Sequence, residues 1–105
     1  MLPRIISIVK VLPFKVSANW NTGELREIDF LPILSPYKNK PDSSLGQLLR
    51  TEIFEKVKLD PESQTLYWEG LIKMRLQNGT FVPAPLDFCP DVLFENSRVV
   101  EKPGI

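Results

Sequence analysis

The chain has 105 residues, with 13 basic side chains against 13 acidic ones and a hydrophobic content of 43%, the balance of an ordinary globular domain. That length fits one domain with one core, and zero formal net charge argues against bulk nucleic acid or an anionic membrane as a mainly electrostatic partner. With no histidine and one cysteine, this chain cannot supply a Ser-His-Asp or Cys-His arrangement, a His-ligated metal or a thiolate cluster.

Ten prolines cut the sequence into short elements. Ile5 to Leu12 is rich in Ile and Val and reads as a strand closed by Pro13, with apolar residues on both faces as in a central strand. Its apolar run is interrupted by Ser7 and Lys10, too short for a signal sequence, and no stretch approaches the ~20 apolar residues that span a bilayer. Cys89 has no partner for an internal disulfide. These features predict a cytoplasmic protein.

Phe14 to Trp20 alternates, with Phe14, Val16, Ala18 and Trp20 on one face. A three-residue loop at Asn21-Thr22-Gly23 pairs Trp20 with Glu24, Ala18 with Arg26, Val16 with Ile28 and Phe14 with Phe30, whereas a two-residue loop splits every apolar pair. Leu31-Pro-Ile-Leu starts a helical turn, and Pro36 to Ser44 is a polar loop. Ser44 with Gln47 fits a capping box, and Thr51-Glu52 resembles a fresh start, which predicts two short helices, about Leu45–Arg50 and Glu52–Lys56. Val57–Leu59 and Thr65–Glu69 read as strands around an Asp60-Pro61 turn. Leu71 to Gln77 alternates again before Asn78-Gly79, a strong hairpin signal. Pro83 and Pro85 predict a brief return strand at a sheet edge. Pro90 to Glu95 makes one helical turn, and the chain beyond Arg98 reads as a frayed tail. The expected architecture is an α+β domain over residues 1–98, a small mixed or antiparallel sheet with two hairpins and two to three short helices, followed by a flexible tail at 99–105.

Little in this chain carries chemistry. Cys89 could precede a helical turn whose backbone N–H groups favour a thiolate, but Asp87 and Asp91 oppose that charge, and a small buried hydrophobe or an incidental thiol is the simpler reading. Asp87, Asp91 and Glu95 recur every four residues, a spacing that could gather a hard cation on a helix face. Pro90 interrupts such a helix, so Asp87 is better explained as a cap. Trp20, Trp68 and Tyr67 could stack on bases only if exposed among cations. Core packing explains the tryptophans better. Lys73 and Arg75 form a short basic stripe on the second hairpin.

Several segments share an order with known sequences: Gly23-Glu24, Asp29-Phe30-Leu31-Pro32-Ile33-Leu34, Leu49-Arg50-Thr51-Glu52-Ile53-Phe54, Val57-Lys58-Leu59-Asp60, Thr65-Leu66-Tyr67-Trp68 and Pro90-Asp91-Val92-Leu93-Phe94. From about Arg4 to Glu95 the chain resembles a small bacterial family catalogued as domain of unknown function twenty-four-forty-two. It departs from that family in a longer loop around Pro36–Ser44 and an added hairpin from Gly70 to Ala84. The resemblance implies a small α+β fold without established enzymatic activity, whose relatives are fused to helix-turn-helix domains or paired with a neighbouring protein in toxin–antitoxin-like systems. It supplies no site residues.

The expectation is therefore a non-enzymatic intracellular interaction module without cofactor or metal, antitoxin-like, binding a small protein partner or a second copy of itself. The predicted contact surface is the edge hairpin at Leu71–Val82, through Ile72, Lys73, Met74, Arg75 and Phe81. Two alternatives stand beside it: a nucleic-acid-associated regulator using Lys73, Arg75 and Trp20 or Trp68, and an enzyme relying on Cys89 or on Asp87 with Asp91.

Overall fold

The computed structural model describes residues 2–100. They form two antiparallel sheets and several short helices, the α+β class expected, but with two sheets in place of one. The first sheet has the order β1 (Ile5–Leu12), β2 (Lys15–Trp20), β3 (Leu25–Asp29), β7 (Ser97–Val99). The second has the order β4 (Lys58–Asp60), β5 (Thr65–Arg75), β6 (Phe81–Asp87). The helices are α1 (Leu31–Leu34), α2 (Ser44–Gln47), α3 (Thr51–Phe54) and α4 (Pro90–Glu95), with a 3-10 turn at Ser35–Tyr37.

The β2–β3 register is the one the three-residue loop dictates. Val16 faces Ile28 and Ala18 faces Arg26, while Trp20 N–H donates to the Glu24 carbonyl at 2.9 Å and Phe30 N–H to the Phe14 carbonyl at 2.9 Å. Gly23 closes the loop at φ 86°, and Gly79 closes the second hairpin in the same way at φ 85°. A left-handed third residue lets the turn match strand twist, which only glycine does without cost.

β1 is an edge strand, not the central one its composition predicted. Ile5, Ile8 and Val11 pair with Trp20, Ala18 and Val16, a three-residue repeat produced by irregularities after Ile5 and after Ile8. Each bulge adds one residue, so a second apolar series at Ile6, Val9 and Leu12 falls on the exposed side, with Ile6 56% and Val9 53% accessible. Pro13 does not merely end β1. It opens a two-residue turn in which Phe14 takes φ 63°, so Leu12 pairs with Lys15 and β2 begins at Lys15.

The two short helices after the polar loop are present, with shifted starts. Ser43, not Ser44, caps α2, accepting from Gly46 N–H at 3.0 Å and donating to the Lys40 carbonyl at 2.6 Å. Ser44 is left free to donate to the Leu71 carbonyl at 3.3 Å. Thr51 is the first helical residue of α3, not its cap. The predicted strands from Thr65 and from Leu71 are one, β5, with an irregularity between Trp68 and Ile72 where Gly70 has φ 72°. β6 lies at the sheet edge as expected, yet it runs seven residues straight through Pro83 and Pro85. At the C-terminal end, Val99 pairs with Arg26 in β7 and Val100 N–H donates to the Leu25 carbonyl at 2.8 Å, so the predicted tail starts too early. The rest of it, residues 101–105, lies outside the described residues.

One core joins both sheets. Phe30 sits edge-to-face against Phe54, Trp68 and Phe88, with ring centroids 5.2, 5.6 and 5.6 Å away, a geometry aromatic quadrupoles favour. Trp68 Nε1–H donates to the Phe54 carbonyl at 2.9 Å. Arg26 ties the first sheet to the C-terminal segment, with its guanidinium 4.0 Å from the Phe94 ring centroid and Nε–H donating to Ser97 Oγ at 2.7 Å. Among the described residues, no helix is long and apolar enough to cross a membrane.

Candidate functional site

The second hairpin extends from the body as a two-stranded arm, and backbone alternation along β5 organises it. Leu76 N–H donates to the Thr80 carbonyl at 2.8 Å, which makes Leu76 and Thr80 the closing hydrogen-bonded pair. Two residues back, Met74 faces Val82, and two further back, Ile72 faces Ala84. Hydrogen-bonded pairs recur every second residue in an antiparallel ladder, so the even-numbered residues direct their N–H and C=O groups to β6. The odd-numbered ones point to the opposite side, where β4 lies. β4 covers only Thr65 to Tyr67. Beyond it, Leu71, Lys73 and Arg75 face an open edge, which the Ser44 hydroxyl meets at the Leu71 carbonyl.

The same alternation divides the five predicted contact residues between two faces. Ile72 and Met74 lie on one face with their partners Ala84 and Val82. Lys73 and Arg75 lie on the other, joined by Phe81, which pairs with Arg75, and by Pro83, which pairs with Lys73. Met74 is 52% and Phe81 62% accessible. The first face continues the core: Leu66, Trp68 and Leu86 are buried, Ile72, Val82 and Ala84 half-buried, and Met74 and Leu76 exposed.

Pro83 and Pro85 also fall into place. Pro83 faces Lys73, a position between hydrogen-bonded pairs, and Pro85 shares its parity. Their missing N–H groups belong to the outer edge of β6, where they cost β5 nothing and deprive that edge of two donors.

Where β4 ends, a groove of ≈ 500 Å³ opens beside β5. Ile53, Val57 and Leu71 give it apolar walls, and Lys56, Lys58 and Glu69 line it with charge. Lys58 Nζ lies 3.1 Å from Glu69 Oε2 in an exposed pair, of the kind that adds little to stability. The groove was not legible from sequence, because it depends on where β4 stops relative to the far longer β5.

The other predicted candidates do not assemble into a site. Trp20 and Trp68 are each 1% accessible, which removes both from any base-stacking role. Cys89 is exposed at the N-cap of α4 without a side-chain capping bond. Asp87 is therefore not the cap of α4. It belongs to β6, apart from Asp91 and Glu95 on the helix. Among the described residues, no group of three or more His, Cys, Asp or Glu side chains is placed to hold a metal ion. Compared with family models, curated proteins and solved structures, the chain shows no match in any of the three.

Proposed function

We propose that this chain is a non-enzymatic, intracellular protein-interaction module that uses the β5–β6 arm to bind a small protein, in the manner of an antitoxin and its operon partner. The observation that carries this reading is the apolar stripe that leaves the core at Trp68 and Leu86 and runs out to exposed Met74 and Leu76. An arm of this kind buries little in the free chain and has its use in contact with another molecule.

The test uses the whole chain as bait in chemical cross-linking from cells, beside a Met74→Ser, Phe81→Ser double variant whose melting curve matches the original. A partner cross-linked by the original chain and reduced at least about tenfold with the variant supports the module. Identical sets from both baits contradict it.

A nucleic-acid reading retains one supporting observation: exposed Phe81 shares a face with Lys73 and Arg75, the combination base stacking needs. Retention of a single-stranded oligonucleotide at low salt, lost steeply as salt rises, favours that reading over the protein partner.

A further inference from the structure

We infer that the open edge of β5 receives an extended strand from the partner, one that alternates acidic and apolar side chains. This site presupposes the interaction module and specifies what the module binds. Four observations converge on it.

Among the described residues, the edge offers unpaired ladder groups. The N–H and C=O of Lys73 and Arg75 point away from β6, and pairing with β4 reaches only to Tyr67, short of both. An added strand pairs with Lys73 and Arg75, beyond the Leu71 carbonyl that Ser44 occupies, with main-chain hydrogen bonds supplying affinity.

Other sheet edges are poorer templates. The outer edge of β6 lacks donors at Pro83 and Pro85, β1 is interrupted by two bulges, and β4 and β7 are each three residues long. Bulges and prolines are the devices by which an edge refuses a further strand. β5 has none along Ile72–Arg75.

Charge selects the occupant. Lys56 and Lys58 line the groove at one end of the edge, Lys58 paired with Glu69, and Lys73 and Arg75 lie along it. This cationic run stands out on a chain of zero net charge. Acidic side chains on the incoming strand sit opposite Lys73 and Arg75. The alternate apolar ones extend the face of Ile72 and Met74, and the Ile53–Val57–Leu71 groove seats the strand's end.

The same charges disfavour a second copy. Antiparallel pairing of two β5 edges centred on Lys73 or Met74 sets Lys73 against Lys73 or against Arg75, and like charges directly opposed destabilise a sheet.

The test titrates the full chain with two fluorescein-labelled synthetic peptides, one alternating Val and Glu and one alternating Val and Lys. Binding is followed by anisotropy and by amide exchange. Expected is a preference of about tenfold or more for the acidic peptide, slowed exchange at Lys73 and Arg75 on binding, and reversal of the preference in a Lys73→Glu, Arg75→Glu variant. No binding, equal binding of the two peptides, unchanged exchange at Lys73 and Arg75, or a concentration-dependent dimer formed through this edge overturns the site. A partner still lost from the Met74→Ser, Phe81→Ser bait then leaves the module intact and places its contact elsewhere on the arm.

Discussion

Gly46 sits buried in α2, and a Cβ added there would lie 2.0 Å from the Lys40 carbonyl oxygen. By helix propensity alone, Gly46→Ala gains about 1 kcal/mol. The backbone contact reverses that sign, because Lys40 is held by the Ser43 hydroxyl and the Ser43 N–H, which donate to its carbonyl. Gly46→Ala is expected to lower stability by about 2 kcal/mol or more, as read by urea denaturation. A neutral or stabilising result contradicts the close approach of α2 to its preceding loop. Core packing is the better sequence explanation of both tryptophans, since large aromatics dominate small cores, but their full burial is seen only in the structure. Which of two adjacent serines caps α2 was not legible, because the choice is made by that approach at Gly46. Nor did the sequence reveal that Trp68 Nε1 finds the Phe54 carbonyl while Trp20 Nε1 is buried without a partner among the described residues.

At the scale of elements, local turn chemistry was readable and strand accounting was not. Asn21-Thr22-Gly23 determined its register because the apolar pairs allow one loop length. β1 misled because its apolar residues lie on both faces, a pattern shared by a central strand and by an edge strand with two bulges. Pro83 and Pro85 looked like terminators because a sequence does not disclose which side of a strand carries the ladder bonds. The β4–β5 turn carries a consequence for pH. The Glu62 N–H, then the Ser63 side chain, hold the Asp60 carboxyl below its ordinary value of 3.8. A carboxylate whose folded value is depressed stabilises above its unfolded value, and that contribution fades as pH falls through the folded one. The stability gap between the original chain and Asp60→Ala should therefore be widest near neutral pH and narrow below about pH 4. Asp60 is only half-buried, so the gap is small. A gap unchanged down to pH 3 contradicts the turn geometry.

Taken whole, the molecule measures 57 × 30 × 20 Å, with one aromatic core under two sheets and the β5–β6 arm beyond it. The α+β class followed from composition and segment pattern. The division into two sheets did not, since it depends on long-range pairing: Ser97–Val99 returns to β3, and β5 continues through Gly70 as one strand. The sequence of the predicted contact hairpin did not disclose the arrangement of its residues, in which Phe81 joins Lys73 and Arg75 while Ile72 and Met74 face the other way. The account depends most on one side of β5 being open. Residue-resolved amide exchange on the dilute free chain tests that directly. Ile72 and Met74 should exchange slowly and Lys73 and Arg75 rapidly, in strict alternation; uniform protection, or uniform fast exchange from Ile72 to Arg75, contradicts it.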